Sequence, residues 1–203
     1  MTPAGLKFYG VVARPERNGA VLAPQTSAIS VRDLSAIVKA APFTPVDPSA
    51  AEVADYRGVV ESAFDRGSIL PAPFGVVFRS HDQVEHWLQM NYIALTEGMH
   101  LVQGRCEVRI HVTPEPEPAA DEDDVVAVAT EVFRTLRRRA AASVPLRRTD
   151  THLTVSSAFL VERTLWEEFA KLVGTQARRY QEVHIGRTGP WPPYAFVRMD
   201  LAV

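Results

Sequence analysis

Residues 81–86 place two histidines around Glu85, in a pattern close to the H-x-x-E-H motif of zinc hydrolases. A shared zinc ion needs both imidazoles on one side of the helix. His81 and His86 are five positions apart, so a helix separates them by about 500° and leaves the rings about 140° apart around its axis. Neither His152 nor His184 has a visible partner at ligand spacing. We therefore predict a solvated helix here and no metal site.

Cys106 is the only cysteine in the chain. It alternates with Val108 and Ile110 along an apolar strand face, which favours a small core residue over a nucleophile activated by a nearby base. A single cysteine allows no intramolecular disulfide, which suits a reducing cytoplasm. The G-x-S-x-G, phosphate-loop and dinucleotide-binding motifs are also missing from the sequence. We expect no catalysis and no cofactor.

Arginines form the main concentration of positive charge. They are Arg137, Arg138, Arg139, Arg147 and Arg148. At the C-terminal end of a predicted helix they oppose the negative end of its dipole, which is a structural reason for them. Docking of an acidic partner surface is the functional alternative, and the acidic run 121–124 of a neighbouring copy would fit it, so self-association stays open.

Proline and aromatic side chains crowd into residues 189–194, near the C-terminus. The string reads Gly189, Pro190, Trp191, Pro192, Pro193, Tyr194. Proline lacks an amide hydrogen and fixes its own φ, so this string cannot continue a helix or form a central strand. It predicts a rigid structural corner or a docking surface, where Trp191 and Tyr194 would offer a large contact area at low entropic cost.

Composition restricts the class of protein. With 203 residues, 46% of them apolar, the chain can bury a sizeable core in one large domain or two small ones. Its 22 basic and 24 acidic residues give a net charge of -2, too balanced for a nucleic-acid binder. The N-terminus lacks the pattern of a signal peptide, and no apolar run approaches the roughly 20 residues that span a bilayer.

Four amphipathic helices follow from the 3.6-residue spacing of apolar side chains. They are predicted over 50–65, from about 81 to 99, after Asp121 and after Thr164. Three of their starts have capping-box spacing: Ser49 with Glu52, Ser80 with Gln83, and Thr164 with Glu167.

Strands are predicted at 6–12, 37–41, 74–78, 105–112, 144–147, 153–161 and 195–203. The alternation of apolar and polar residues along 105–112 is typical of a half-solvated antiparallel sheet. We predict the α+β class, with mainly antiparallel sheets and helices packed on one side. From residue 105 the order strand, helix, strand, strand, helix, strand is that of a ferredoxin-like (split βαβ) domain, and the first half fits less cleanly. The predicted domains are 1–102 and 103–203, the second a modified ferredoxin-like domain that carries the proline-aromatic string.

Three stretches resemble the gas vesicle protein F/L family. The GPWPPY string at 189–194 is similar to a segment near the end of that family, and LPAPFGVVF at 70–78 is similar to its LPxxFG segment followed by an apolar strand. The opening FYGVV at 8–12 is similar to its first strand. The order of these stretches follows the family from one end to the other. One departure is Pro73, which stands where many members carry arginine.

The resemblance implies two α+β domains and a non-enzymatic accessory or minor structural protein of gas vesicle assembly. Its partners would be the gas vesicle shell protein and other accessory proteins, and it would be cytoplasmic and associated with the gas vesicle. The candidate partner-binding residues are Phe74, Pro190, Trp191, Pro192, Pro193 and Tyr194. The alternative is a ferredoxin-like enzyme or small-ligand regulatory domain, which a deep pocket lined by histidines or carboxylates would favour.

Overall fold

The computed structural model of the chain describes residues 4–14, 23–115, 121–147, 154–199 and 201. They fall into two units, one of Met1–Gln103 with Pro192–Val203 and one of Gly104–Trp191. The predicted boundary after residue 102 lies next to this division. The predicted range 103–203 differs from it at its end, because Val197, Met199 and Leu201 pack against the core of the first unit.

The first unit has five strands and three helices among its described residues. These are β1 (Ala4–Ala13), β2 (Ser27–Val31), β3 (Leu34–Pro42), α1 (Ala50–Arg66), β4 (Ile69–Pro71), β5 (Val77–Phe78), α2 (His81–Met90) and α3 (Tyr92–Val102). The sheet order is β2-β3-β1-β4, β5 also pairs with β1, and every pairing is antiparallel. Strand β1 is therefore central.

A glycine sets an irregularity in this central strand. The register between β1 and β3 shifts between Phe8 and Gly10. Gly10 has a φ of 154°, and a Cβ added there would overlap the carbonyl oxygen of Leu70 in β4. Both the backbone conformation and the close approach of the neighbouring strand require glycine at this position.

Different helices cover the two faces of the first sheet. Phe8 joins a core cluster that includes Trp87 of α2 and Leu95 of α3. The next residue, Tyr9, points to the other face, where its hydroxyl donates to Asp55 of α1 at 2.6 Å. The α+β class with antiparallel sheets is confirmed, and this unit has helices on both faces where the sequence predicted them on one.

The helix starts at Ser49 and Ser80 are confirmed, since each hydroxyl accepts a backbone N–H three residues on, at 3.3 and 3.2 Å. The single helix predicted over about 81–99 is two helices, α2 and α3, which meet at Asn91. The amide Nδ2 of Asn91 donates to the carbonyl oxygen of Trp87 at 2.9 Å. Such a side-chain bond to the backbone competes with the continuing helix.

The described residues of the second unit form three further strands, two helices and an edge strand in the predicted order of strands and helices, although the last strand lies earlier than predicted. They are β6 (Arg105–Pro114), α4 (Glu122–Arg137), β7 (Ala142–Pro145), β8 (Val155–Glu162), α5 (Trp166–Arg179) and β9 (Val183–Trp191). The antiparallel sheet has the order β7-β8-β6-β9, which is the split βαβ arrangement. Phe159 of β8 packs against Phe133 of α4 and Phe169 of α5, with ring centroids 5.8 Å apart in both pairs.

The strand predicted at 195–203 is wrong. Tyr194–Phe196 form a single 3-10 turn, and no strand follows among residues 197–199 and 201; Val203 lies outside the described residues. The last strand is β9 instead, an edge strand. An edge strand tolerates Pro190 because one of its sides needs no amide donor.

The capping box predicted at Thr164 is also wrong. Helix α5 starts at Trp166 after a 3-10 turn over Arg163–Leu165, and Leu165 supplies no side-chain cap. Strand β8 begins at Val155, within the predicted range, and Leu153 lies outside the described residues.

Candidate functional site

The proline-aromatic string is shared between the two units, which divide between Trp191 and Pro192. Pro190 is exposed near the end of β9 and follows a cis peptide bond from Gly189. Trp191 is half-buried, and its Nε1 donates to Thr188 Oγ1 at 3.2 Å within the same strand. These three residues therefore belong to the edge of the second sheet.

The rest of the string is mostly buried in the first unit. Pro192 and Pro193 are buried, and Tyr194 is half-buried at the start of the 3-10 turn. The N–H of Tyr194 donates to the carbonyl oxygen of Pro192 at 2.7 Å, which tightens the turn. The two prolines act as a structural corner that directs the tyrosine ring.

Three aromatic rings of the first unit meet around a fourth, that of Tyr56 on α1. The ring of Tyr9 stacks on it at 6.1 Å, Phe74 meets it edge-on at 5.6 Å, and Tyr194 is tilted against it at 6.5 Å. We refer to Tyr9, Tyr56, Phe74 and Tyr194 as the Tyr56 cluster. Two candidate residues, Phe74 and Tyr194, thus come together although 120 positions separate them in the sequence.

The loop that carries Phe74 is tied to β1 on both sides. The N–H of Ala72 donates to the carbonyl oxygen of Tyr9 at 3.0 Å, and the N–H of Phe8 donates to that of Val76 at 2.9 Å. Between them Gly75 adopts a φ of 84°, a left-handed conformation that glycine adopts readily. This conformation turns the chain so that the half-buried Phe74 ring lies beside Tyr56.

A shallow, open cleft lies beside the cluster, and its volume of about 10 Å³ holds about one water molecule, far less than a small-molecule site needs. Its walls include Lys7, Val46, Glu52, Asp55, Tyr56 and Phe74. The charges around it are paired: Lys7 binds Glu52, and Lys39 donates to Asp55 at 2.7 Å. The cleft therefore offers aromatic faces beside a compensated charge network.

Tyr9, Tyr56 and Asp55 keep their usual charge at neutral pH. Burial raises the pKa of Tyr56, and burial together with the bond to Asp55 raises that of Tyr9. Burial alone would raise the pKa of Asp55, but the hydrogen bonds from Lys39 and Tyr9 outweigh it and hold the pKa below its ordinary value. Protonated phenols and an ionised, paired carboxylate suit recognition better than proton transfer.

The histidines of α2 are exposed, as the sequence predicted for a solvated helix. His81 Nδ1 lies 3.9 Å from the Oε2 of Glu85, and His86 is exposed at the next turn. Within the ranges that the structure describes, no group of three metal-ligating side chains comes together. His152 lies outside those ranges.

Cys106 is buried, and burial raises the pKa of its thiol to about 11. The core position predicted for it is confirmed. Arg137, Arg138 and Arg139 lie exposed at the C-terminal end of α4, also as predicted, while Arg148 lies outside the described residues. None of these groups contributes to the Tyr56 cluster.

Sequence reasoning missed Tyr9, Asp55 and Lys7 as neighbours of the candidate residues. A signal existed for Tyr56, which the helical period places on the inner face of α1. Tyr9 and Lys7 alternate with Phe8 along β1, so both lie on the face opposite the larger core cluster. Their proximity to Phe74 and Tyr194 arises only in the tertiary fold, so no local sequence pattern indicates it.

None of the helices in the described part of the chain is long and apolar enough to cross a membrane.

The model of the family "Gas vesicle synthesis protein GvpL/GvpF" matches residues 6–127 and 119–198.

Curated relatives span almost the whole chain. Gas vesicle protein F2 of Halobacterium salinarum is 24% identical over 99% of this chain and 95% of its own length. Gas vesicle protein F of Haloferax mediterranei is 23% identical over 97% of this chain and 94% of its own.

The fold matches two crystal structures of the gas vesicle protein GvpF. The protein from an Anabaena species superposes with a TM-score of 0.82 at 17% identity, over 97% of both chains. The protein from Microcystis aeruginosa gives 0.78 at 18% identity, over 96% of this chain and 99% of its own. Because the family match covers nearly all of the chain, this protein belongs to the gas vesicle synthesis protein GvpL/GvpF family and is involved in gas vesicle formation.

Proposed function

We propose that this protein acts in gas vesicle assembly by binding the shell protein and other accessory proteins, and that the Tyr56 cluster with its cleft is a contact surface. It would act in the cytoplasm, at the growing vesicle. One observation carries the choice of surface: Phe74 and Tyr194, from the two stretches that resemble the family most specifically, meet on Tyr56. The proposal does not require an enzymatic step.

The physical chemistry of the cluster supports a protein partner. Aromatic rings with few rotatable bonds give a large contact area while losing little entropy on binding. The loop of Phe74 is held by backbone bonds to β1 on both sides, so its geometry is set before a partner arrives. The shallow cleft has paired charges in its walls and room for about one water molecule, so it suits contact with an apolar or aromatic side chain at its surface better than enclosure of a substrate.

The test is capture of co-expressed shell protein by purified variants. Phe74→Ala should reduce capture at least about fivefold, the loss of one interface aromatic being worth ~1–2 kcal/mol. Ile93→Ala is the matched control, because Ile93 is 73% exposed on α3 of the same unit and lies outside the cluster. An unrelated apolar peptide checks that capture is specific.

Folding must be separated from binding in this experiment. Phe74→Leu keeps an apolar side chain in the loop and should retain the fold if Phe74→Ala loses it, and circular dichroism reports both. Equal capture by wild type and a folded Phe74→Ala would refute the cluster as the contact surface. Failure of the wild type to capture shell protein, with both proteins folded, would redirect the proposal to another accessory partner.

A further inference from the structure

The outer face of α4 carries a stripe with opposite charges at its two ends. Its exposed members are Asp123, Val126, Thr130, Arg134 and Arg137. Their spacings of three, four, four and three residues keep them on one side of a helix with a 3.6-residue period. The buried side of α4 borders the stripe, with Val125, Ala129 and Val132 in the core of the second unit at about 100–160° from Thr130 around the helix axis.

The stripe is symmetric in spacing about Thr130. Turning the helix end for end exchanges Asp123 with Arg137, and Val126 with Arg134. Two helices packed antiparallel along this stripe would therefore set each aspartate against an arginine of the other copy. An interface of this kind uses the same patch on both subunits and closes at two.

The centre of the stripe is suited to close packing. Thr130 Oγ1 donates to the carbonyl oxygen of Val126 at 2.8 Å, so its hydroxyl is bonded within the helix and its methyl is available for contact. Val126 is 43% exposed, which is high for a valine in a folded chain. Across the two-fold it would meet the alkyl part of Arg134, whose guanidinium is held by two bonds to Glu131 at 2.7 and 3.0 Å.

The ends of α4 extend the charge pattern. Glu122 and Asp124 add negative charge in its first turn, and Arg138 adds positive charge at its C-cap. Arg137 Nε donates to Ser143 Oγ at 3.0 Å, which orients its guanidinium at the surface. The charged ends are separated by about 21 Å, from a rise of about 1.5 Å per residue. A parallel pairing would bring like charges together, so the antiparallel one is favoured.

We propose that a second copy of this chain docks on this stripe, with the two α4 helices antiparallel and Thr130 at the two-fold axis. The occupant is a second copy because the stripe is complementary to itself: the acidic end of one copy would face the basic end of the other. This inference is independent of the Tyr56 cluster.

Two charge-reversal variants test this dimer, and mixing them should restore the association that each one loses. One variant carries Asp123→Lys with Asp124→Lys, and the other carries Arg137→Glu with Arg138→Glu. Each alone should weaken self-association at least about tenfold, since both ends of its homodimer then oppose like charges. Mixed together they should associate again, because lysine then meets glutamate at one end and aspartate meets arginine at the other.

Sedimentation velocity over a range of protein concentrations measures the association. Wild type should approach twice the monomer mass and no more, and should dissociate between about 0.1 and about 1 M NaCl, where the Debye length falls from about 10 to about 3 Å. The matched control is Glu167→Lys with Glu168→Lys, an acidic pair in the first turn of α5 that lies off the stripe. It should leave association unchanged.

The outcomes separate the alternatives. A monomeric wild type at low salt, reversed variants that associate like wild type, or a mixture that stays monomeric would each overturn the proposal. Growth beyond two copies would replace it with a head-to-tail arrangement. Thr130→Cys adds a geometric check, since two thiols at the axis should form a disulfide-linked dimer on mild oxidation, whereas Glu167→Cys should not.

Discussion

The two units share one strand order and differ in how their sheets are covered. In both, the order in space is second, third, first and fourth strand. Helix α1 of the first unit corresponds to α5 of the second, since each joins the third strand to the fourth. The second unit also has α4 between its first two strands. In the first unit the described part of the same connection, residues 14 and 23–26, contains no helix.

This difference explains where the candidate site lies. The sheet face that α1 covers carries Lys7, Tyr9 and Lys39, all bonded to α1 side chains. The corresponding face of the second sheet is apolar, with phenylalanines from three elements in contact. Among the described residues, α1 is the one helix on this face of the first sheet, and aromatic and paired charged side chains lie beside it, whereas α4 and α5 both pack on the corresponding face of the second sheet. The cleft lies between the aromatic and charged side chains of the first unit.

The largest effects on stability are expected from replacing the glycine that each sheet requires. Gly10→Ala should lower the free energy of unfolding of the first unit by about 2–4 kcal/mol, because it strains the backbone of a central strand and overlaps the carbonyl of Leu70. Gly189→Ala places a Cβ 2.8 Å from the carbonyl oxygen of Glu107 at a φ of 120°. It should cost less, about 1–2 kcal/mol, since β9 is an edge strand that can shift outward.

Tryptophan fluorescence in urea measures each unit separately. Trp87 reports the first unit in a background with Trp166→Phe and Trp191→Phe, and Trp166 reports the second when the other two are replaced. Gly58→Ala is the control, because it lies within α1 with no atom within 4 Å of the added Cβ. It should stabilise by about 0.5–1 kcal/mol. If Gly10→Ala proves as harmless as this control, the bulge does not depend on glycine.

A smaller effect on stability is expected from the charge network that joins β1 and β3 to α1 in the first unit. Asp55→Asn should cost about 1–2 kcal/mol at neutral pH, since two hydrogen bonds to a partly exposed carboxylate weaken. The pKa of Asp55 lies below its ordinary value in the folded protein, so its contribution is present above the ordinary pKa and is lost as the pH falls through the folded pKa. The difference between wild type and Asp55→Asn should therefore shrink as the pH falls below 4.

The control for that experiment is Glu61→Gln. Glu61 pairs with Arg57 four residues earlier on the exposed side of α1, at 3.1 Å. Surface pairs of this kind contribute about 0.5 kcal/mol or less. A pH dependence of equal size in the two variants would mean that the network of Asp55 is no more than another surface pair.

Local signals in the sequence were enough for most of the helices and for the second unit up to α5. Ser49 and Ser80 mark helix starts through bonds that span three residues, and the alternation along β6 shows its buried face directly. The break at Asn91 was missed because the apolar period continues on both sides of it. β4 and β9 were not predicted from the sequence. Their proline and glycine residues have low β propensity, but short strands and edge strands tolerate such residues.

The candidate site was predictable only in part. The sequence singled out Phe74 and Tyr194 through the resemblance, and the helical period places Tyr56 on the inner face of α1 without marking it as a site residue. Their meeting depends on the return of the chain to the first unit at Pro192, which no local pattern encodes. The wrong prediction of a strand at 195–203 has the same cause, because the apolar residues of this segment pack on a core formed mostly by residues before 103.

The smallest expected effect tests whether the two units open independently. Cys106 is the only thiol, lies 1% exposed in the second unit, and has a pKa of about 11, so at pH 8 about one in a thousand would be thiolate even with access to reagent. Labelling should therefore follow opening of the second unit. Gly10→Ala, despite its large cost to the first unit, should change the labelling rate by less than about twofold, whereas Gly189→Ala should raise it. Equal acceleration by both variants would mean that the sheets unfold as one cooperative block, and the differences in their cover would then describe packing within a single folding unit.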